Sequence, residues 1–388
     1  MEFAQQLAEW RHYLHAHPEP AMEERETAAF VAARLRKMGY QVHEGVGGTG
    51  VVACLTNGPC GDSMAIRADM DCIGIEERTG LAYSSVNPGR MHACGHDGHM
   101  TMALGAAQLV AERRDFAGTV VFVFQPGEEP GLGARAMIDD GLFDRFPVTE
   151  IYGLHGWPGL PQGVFGVREG RIMAGEDDFV IRIQGRGGHA ARPHMTHDAL
   201  IAAAEVVLSL QTVVSRSVDP AEPAVLSCTS MHSDGTANVI PGSVTITGDC
   251  RSFSREVSEL IERRMREICG HICAAHETDC RLDYERVFKA TVNDRICAKY
   301  ALEAARAVAG HRRVKSGIPP NTVAEDFSAY LELVPGCFTL IGNGEDSPNL
   351  HTADYNFRDE NLVPGAKFFA ELVRRRMPQA EAAPAEGR

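Results

Sequence analysis

Two patterns of hydrophobic and polar positions alternate along much of the chain. Apolar residues recur at helical spacing in 23–40 and 98–113, whereas 50–56, 63–71 and 119–125 are short apolar runs bounded by turn residues. The first pattern predicts helices with a buried face, and the second predicts buried strands. Strands that alternate with helices in this way indicate an α/β domain with a mixed, mostly parallel sheet flanked by helices.

The pattern changes between residues 176 and 288. The segment DDFVIRIQ alternates apolar and polar residues at period two, which predicts a strand with one solvent-facing side. The elements of this region follow the order β-α-β-β-α-β, which indicates a ferredoxin-like α+β domain inserted into the first domain. We therefore expect a first domain in two parts, 1–175 and 289–376, an inserted domain over 176–288, and a disordered tail over 377–388.

Composition narrows the class of protein. The 388 residues carry a formal net charge of −14 without a basic cluster, which argues against nucleic acid and anionic membranes as partners. No stretch approaches the length of a membrane-spanning helix and the N-terminus lacks a signal-peptide pattern, so we expect a cytoplasmic protein. The 11 cysteines follow no framework spacing and are expected to be free thiols.

Metal-capable side chains follow the ends of several predicted strands. The decapeptide MHACGHDGHM contributes Cys94, His96 and His99 just before or at the start of a predicted helix. The carboxyl ends of parallel strands meet at one edge of a sheet. We therefore expect Cys94, His96 and His99 to lie close to the metal-capable residues that follow other predicted strands. Thiolate, imidazole and carboxylate together suit Zn²⁺, Mn²⁺, Co²⁺ or Ni²⁺. The other members of the group are Asp69, Asp71, Glu128, Glu129, His155 and His351.

A series of stretches in order over about 12–360 resembles a known family. They are LHAHPE, IRADMD, MHACGHDGHM, FQPGEE, YGLHGWPGLPQG, GRGGHAARPH, NVIPG, AEDFSAY and LHTADYNFRDE. The set resembles the dinuclear-metal amidohydrolases that include hippurate hydrolases, aminoacylases and auxin-conjugate (IAA-amino acid) hydrolases. The resemblance implies two divalent metal ions, Mn²⁺ or Zn²⁺, with Co²⁺ and Ni²⁺ as further candidates. The metal ligands that it implies are Cys94, His96, Glu129, His155 and His351.

The resemblance also implies roles around the metals. Glu128 would be the general base and later the proton donor, and Asp69 would orient a metal-binding imidazole. The inserted domain would be a lid and dimerisation domain, in which His189 reaches a substrate oxygen. Asn238 and Arg251 would hold the carboxylate of the substrate. A departure from the family pattern is Gly127, which replaces the usual alanine before the glutamate pair and is expected to add backbone freedom.

These roles together predict an enzyme. We expect metal-dependent hydrolysis of the amide bond of a small-molecule N-acyl-L-amino acid, by a homodimer or a higher homo-oligomer. Hydrolysis of N-carbamoyl amino acids or N-acetyl-diamino acids would use the same metal core and remains an alternative. A non-catalytic ligand-binding relative is a third hypothesis, although such a protein has no need of a base at Glu128.

A second group of metal-capable residues lies in ICGHICAAHETDC. Cys269, Cys273, His276 and Cys280 follow helical spacing, which predicts that they share one helix as core and surface positions. Structural zinc sites usually take ligands from a turn as well as from a helix. We therefore expect no second metal site in this segment.

Overall fold

The structure is a computed structural model that describes residues 2–58 and 61–379. The described strands, in chain order, are β1 Gln41–Val46, β2 Gly50–Asn57, β3 Ser63–Asp69, β4 Gly118–Gln125, β5 Glu150–Pro158, β6 Phe165–Val167, β7 Gly170–Met173, β8 Gly175–Gln184, β9 Gly188–His189, β10 Ala224–Ser233, β11 Val239–Ile240, β12 Ser243–Ser252, β13 Asp279–Phe288, β14 Thr291–Asn293, β15 Val314–Ser316 and β16 Gly336–Gly344. The described helices are α1 Phe3–Ala16, α2 Arg25–Lys37, α3 His96–Arg113, α4 Gly133–Asp139, α5 Leu142–Arg145, α6 Ala199–Ser217, α7 Arg255–Ala275, α8 Arg295–Ala309, α9 Ser328–Leu331 and α10 Leu362–Arg376.

The chain divides into two compact units. The first unit runs to Ile172 and takes in Val292–Pro319 and the described residues from Asp326 onward, and the second comprises Met173–Thr291 and Pro320–Glu325. The expected inserted domain falls within the second unit, which also includes a segment that the sequence patterns placed in the first domain. The start of the expected tail, at Met377, is a buried position, and residues 380–388 lie outside the described part of the chain.

The first unit is built on an eight-stranded sheet in the order β1-β2-β4-β3-β5-β16-β6-β15. The central strands β4, β3, β5 and β16 are parallel to their neighbours in this group, while β1 and β2 join as antiparallel strands. This arrangement confirms the mixed, mostly parallel sheet. The central strands are buried along nearly their whole length, as strands covered on both faces are.

The parallel strands bring their carboxyl ends to one edge of this sheet. Asp69 is the last residue of β3, and His155 lies in the second half of β5. The helix α3 begins at His96, directly after Gly95, whose φ of 90° is in the left-handed region. A Cβ atom at Gly95 would lie 2.8 Å from Tyr355 Oη, so this turn requires glycine. The edge of the sheet and the start of α3 therefore position the candidate site.

The second unit has the expected ferredoxin-like arrangement. Its four-stranded sheet has the order β10-β12-β8-β13, with every neighbouring pair antiparallel. Along β8 the buried and less buried positions alternate, as the period-two pattern predicts. The helices α6 and α7 cover the sheet with buried residues such as Val206, Leu210, Ile261 and Met265.

The helix α6 differs from one expectation. By length and composition alone, Ala199–Ser217 is long and apolar enough to cross a membrane, so the expectation that no stretch approaches this length was wrong. One face of the helix, including Ala203, Val206 and Leu210, is buried in the core of the second unit. A helix in the core of a protein can be as long and as apolar as a membrane-spanning helix, and the buried face of α6 fits such a core helix.

The cysteine-rich segment also departs from its predicted form. Cys269 and Cys273 are buried on α7, but this helix ends at Ala275 and Cys280 lies on β13. The placement of all four residues on one helix was therefore wrong. The turn between the helix and the strand contains Glu277 at a φ of 54°, which interrupts the helical path of the chain.

Candidate metal centre

Cys94 lies at the centre of the predicted ligands. Its Sγ is 3.4 Å from His155 Nε2, and candidate ligand atoms of Cys94, His96 and His155 lie within 4.8 Å of one another. Cys94, Glu129 and His351 form another such set within the same distance. The structure thus brings all the predicted ligands together, in two sets that share one thiol.

His96 has a buried nitrogen that faces the cluster. Its Nδ1 donates to the backbone oxygen of Asp71 over 2.9 Å, so Nε2 carries the lone pair in the neutral imidazole. This Nε2 has no hydrogen-bond partner among the described residues, and it lies 3.8 Å from Glu129 Oε1. Buried polar atoms normally have a partner, so the geometry fits a metal ion at this point.

The charges around the cluster favour a cation. Burial opposes the charged form of His96, but Asp69 and Cys94 overcome it and raise its pKa well above the usual value. Burial, with a contribution from Glu129, raises the pKa of the Cys94 thiol well above its usual value. In the absence of a metal ion, the cluster therefore retains protons that a divalent cation would displace.

His99, the last histidine of the decapeptide, supports the site through hydrogen bonds. His99 Nδ1 lies 2.7 Å from Asp69 Oδ1, and its Nε2 accepts the Gly156 N–H over 2.9 Å. Both ring nitrogens are therefore in use, and His99 supports the site without offering a free nitrogen. His155 Nδ1 donates to the backbone oxygen of Gly156 over 2.7 Å, which leaves its Nε2 directed at Cys94.

Asp69 contacts His99 more closely than it contacts the predicted ligand His96. Its carboxylate pairs with His99 and with Arg67 Nη1, over 2.7 Å each, and its nearest approach to His96 Nε2 is 3.9 Å. The predicted ligand His96 is oriented by Asp71 instead. Successive odd positions of a strand share a face only while the strand continues, and Asp71 lies beyond the end of β3. The chain turn after Asp69 thus decides which aspartate meets which imidazole.

The loop that carries the glutamate pair is held by two carboxylates. The Gly127 N–H donates to Glu24 Oε1 over 2.8 Å, and the Glu129 N–H donates to Asp71 Oδ2 over 3.0 Å. Gly127 has a φ of 53°, and a Cβ atom there would lie 2.6 Å from Met22 Sδ. The backbone at Gly127 thus uses a left-handed conformation that glycine adopts more readily than alanine does.

Glu128 lies beside the ligand cluster. It is buried, and its Oε2 is 4.0 Å from His96 Nε2. The ligand atoms of His96, Glu128 and Glu129 also fall within 4.8 Å of one another. A buried carboxylate at this position can take a proton from a water molecule at the cluster.

Sequence reasoning missed a buried arginine under the site. Arg67 lies within the apolar strand β3, where it contacts Asp69, donates to Gln125 Oε1 over 2.8 Å and to Asp326 Oδ1 over 2.8 Å. Asp326 in turn accepts the Ala134 N–H over 2.9 Å. The signal for this network was an arginine in the middle of an otherwise apolar run, because a buried cation requires carboxylate partners.

The predicted substrate-binding residues lie in the second unit. His189 and Asn238 are exposed neighbours, because β9 pairs with β11 and the Ala190 N–H donates to the Asn238 oxygen over 3.0 Å. Arg251 lies on β12 with its guanidinium paired to Asp249 and, over 2.6 Å, to Glu176. Its predicted contact with a substrate carboxylate would have to compete with these partners.

Comparison with known proteins identifies the family. The sequence matches peptidase family M20/M25/M40 over residues 65–375. The chain belongs to this family. The M20-family chain is 35% identical over 363 residues to the hippurate hydrolase of Campylobacter jejuni, with 94% of each chain covered. It is 36% identical over 379 residues to the N-acetyl-L-cysteine deacetylase of Bacillus subtilis, which covers 97% of this chain and 89% of that one.

A solved structure supports the same assignment. A dinuclear metal-binding peptidase of the M20 family from Bacillus subtilis superposes with a TM-score of 0.84 and 31% identity. The match covers 97% of this chain and 98% of that chain. The α/β fold of the M20-family chain is thus the fold of a structurally known relative.

Proposed function

We propose that this chain is a metal-dependent amidohydrolase that cleaves N-acyl-L-amino acids to a carboxylic acid and a free amino acid. The observation that carries the proposal is the pair of ligand sets that share Cys94, with the buried Glu128 carboxylate beside them. Relatives at 35–36% identity are named for hydrolysis of hippurate and deacetylation of N-acetylcysteine, both of which break an amide bond of an N-acyl amino acid.

The donor set supports two divalent ions. One would be held by Cys94, His96 and His155, and the other by Cys94, Glu129 and His351, with Mn²⁺ or Zn²⁺ as the proposed ions. When bound, such ions polarise a carbonyl and lower the pKa of water. The structural relative described as dinuclear supports the count of two.

Glu128 would act as general base and then as general acid. Its carboxylate takes a proton from the attacking water and later delivers it to the nitrogen of the leaving amino acid. The new carbon–oxygen bond replaces the carbon–nitrogen bond, and the acid and the amine leave. Burial of Glu128 supports this role, because a carboxylate shielded from bulk water interacts more strongly with a nearby proton.

The second unit would supply the groups that hold the substrate. His189 Nδ1 accepts the Ala191 N–H over 3.1 Å, so the neutral ring carries its proton on Nε2. That N–H can donate to the oxyanion that develops at the scissile carbonyl. Asn238, which directly precedes β11 and lies close to His189 on the paired strand β9, and Arg251 would bind the carboxylate of the amino acid.

The second unit also supports a homodimer. Ile201 and Leu208 on α6 are 54% and 73% exposed, and Val225 and Met231 on the edge strand β10 are 36% and 45% exposed. Exposed apolar residues on one helix and an unpaired strand edge are typical of protein interfaces. A monomeric mass by light scattering would contradict this part of the proposal.

We also propose a cytoplasmic location. The cysteines that the structure describes are all free thiols, including pairs of neighbouring positions such as Cys269 and Cys273. Free thiols persist in a reducing compartment. Fractionation of the native host cells would test this placement.

A substrate panel tests the enzymatic proposal. Protein loaded with Mn²⁺ or Zn²⁺ is incubated with N-acetyl, N-benzoyl and N-indoleacetyl amino acids, and the free amino acid is measured. We expect release from at least one class and its loss in Glu128→Gln. N-carbamoyl amino acids and N-acetyl-diamino acids in the same panel test the alternative substrates. Binding without release from any compound would favour a non-catalytic relative.

A further inference from the structure

The helix α1 places a buried arginine between two segments that carry predicted metal ligands. Arg11 is fully buried, and its Nη1 lies 3.1 Å from Asp97 Oδ2 and 3.2 Å from Asn356 Oδ1. Its Nη2 donates to Tyr83 Oη over 2.7 Å, and its Nε donates to Asp359. We refer to Arg11 with Asp97, Tyr83, Asn356 and Asp359 as the arginine cluster.

The members of the arginine cluster belong to the ligand segments. Asp97 directly follows His96 in the first turn of α3. Asn356 and Asp359 lie in the segment that follows His351. A single guanidinium therefore joins the segment of Cys94 and His96 to that of His351, although these are far apart in the sequence.

The position of His351 depends on contacts made by its neighbours in the chain. His351 is held in the left-handed region at a φ of 61°, and its side chain is 52% exposed. Its N–H donates to the Ala93 oxygen over 2.9 Å, which is a direct link to the other ligand segment. A non-glycine residue in this region is held there by its surroundings, so contacts on both sides of His351 matter for its position.

The chemistry of the guanidinium suits this position. Its donors lie in one plane at fixed angles, so the partners of Arg11 are held in fixed directions relative to each other. Asp97 Oδ2 also lies 2.9 Å from His15 Nδ1, which fixes the carboxylate from a second direction. A lysine could neutralise the charge of Asp97, but it could not reproduce the planar geometry of these contacts.

We propose that Arg11 is a positioning residue of the metal centre, which sets the place of His351 relative to Cys94 and His96. The inference rests on the proposed function, because it takes these residues to be metal ligands. Groups that orient metal ligands from behind typically change metal affinity by about 10- to 100-fold when they are removed. Arg11 would act over a longer path, through Asp97 and the segment after His351.

The test compares two arginines of the first unit. Arg376 on α10 forms a partly buried ion pair with Glu150, the first residue of β5, over 2.6 Å, and neither residue belongs to the two ligand segments that Arg11 joins. Arg11→Met and Arg376→Met therefore each remove an arginine from an ion pair, but only the first touches the arginine cluster. Dissociation constants for Mn²⁺ and Zn²⁺ are measured by competition with a chelator, and thermal unfolding of the metal-free proteins reports their stability.

We expect Arg11→Met to bind the weaker of two ions about 10-fold less tightly, and Arg376→Met to bind both as the wild type does. Arg11→Lys should keep part of the stability but not the metal affinity, since it restores the charge without the planar geometry. Should Arg11→Met fail to fold, Asn356→Ala removes one contact on the side of His351. That variant is expected to lose metal affinity in the same direction, by a smaller factor.

The outcomes separate this inference from the proposed function. A wild-type protein that binds no divalent ion overturns both. Wild-type binding of two ions, with unchanged dissociation constants in folded Arg11→Met or in Asn356→Ala, overturns the positioning role of Arg11 alone. An equal loss of affinity in Arg376→Met also overturns it, because the effect would then follow from general destabilisation.

Discussion

The two units present their candidate functional residues in opposite ways. In the first unit, Cys94, His96, His155 and Glu128 are buried at the edge of the large sheet. In the second unit, His189 at the end of β9 and Asn238 directly before β11 are exposed. The first group is enclosed within its own unit, and the second is open to solvent.

The difference lies in what holds each residue. Around the metal centre, His96, His99 and His155 each use a ring nitrogen in a hydrogen bond to a backbone or carboxylate oxygen. Such contacts fix the imidazoles before any ion binds, so a metal would need little rearrangement. By contrast, Asn238 has a side-chain contact of 3.4 Å to Thr236, which leaves its amide available for new partners. The imidazoles of the first unit are therefore positioned by hydrogen bonds to its own backbone and carboxylates, whereas the Asn238 amide has a long contact with a neighbouring hydroxyl.

The largest predicted effect concerns the base of the buried centre. Glu128→Gln keeps the size of the side chain but cannot accept the proton of the attacking water, so kcat should fall by about 10²- to 10⁴-fold. Metal content by elemental analysis and the thermal unfolding temperature should stay near wild-type values. Near-normal kcat in this variant would show that Glu128 is not the base of the reaction.

The matching change in the second unit is His189→Ala. We expect kcat to fall by about 10²- to 10³-fold, because a donor to the developing oxyanion is lost, while metal affinity is unchanged. His194, an exposed histidine in the same loop region, provides the control variant His194→Ala. Equal effects of the two substitutions would remove the distinction between a substrate-facing histidine and its surroundings.

The pH dependence of metal binding should show whether the Cys94 thiol is protonated in the metal-free site. Because burial raises the pKa of this thiol, the metal-free site holds a proton at neutral pH that a divalent ion displaces. Metal affinity should therefore rise with pH, by about tenfold per unit for each proton released. Calorimetry in buffers of different ionisation enthalpy counts the protons. Affinity that is flat from about pH 6 to 8 would contradict a protonated Cys94 in the free site.

A smaller effect on stability should distinguish a buried from an exposed histidine. Burial lowers the pKa of His15, but its bond to Asp97 dominates and raises it from 6.5 to about 9. Its contribution is therefore complete below about pH 6.5 and is lost as the pH rises through about 9, which amounts to about 3 kcal/mol.

Urea unfolding of wild type and His15→Gln at pH 6 and pH 9.5 measures this contribution. The stability difference between the two proteins should shrink at the higher pH. In the second unit, His276 forms a more exposed pair with Glu205 over 2.7 Å, and His276→Gln should change stability little at either pH. A pH-independent difference for His15→Gln would show that this histidine is not charged in the folded state.

The sequence predicted the frame of the site better than its internal contacts. The apolar runs located β2, β3 and β4, and the structure brings the predicted ligands together in two sets. The sequence could not show which of Asp69 and Asp71 contacts which histidine, because both are acids near the end of one strand. The answer depends on where the chain turns after β3, and the turn follows from packing against distant segments.

Other misses have the same origin. The sequence predicts added backbone freedom at Gly127, but only the structure shows that this freedom is used in a left-handed turn beside Met22. The spacing of Cys280 continues the helical period and predicts a helix, but α7 ends at Ala275 and Cys280 lies on β13. In both cases, local spacing was compatible with more than one structure, and contacts with other segments selected one of them.

The sequence by itself determined the α/β frame, the inserted β-α-β-β-α-β unit and the set of residues able to bind metal, because periodicity and side-chain chemistry are local properties. Only the tertiary structure decided that Cys94 is shared by two ligand sets, that Asp71 orients His96, and that Arg11 joins the two ligand segments. These features depend on distances between residues far apart in the chain. Such distances are set by how helices and strands pack, and no local pattern encodes them.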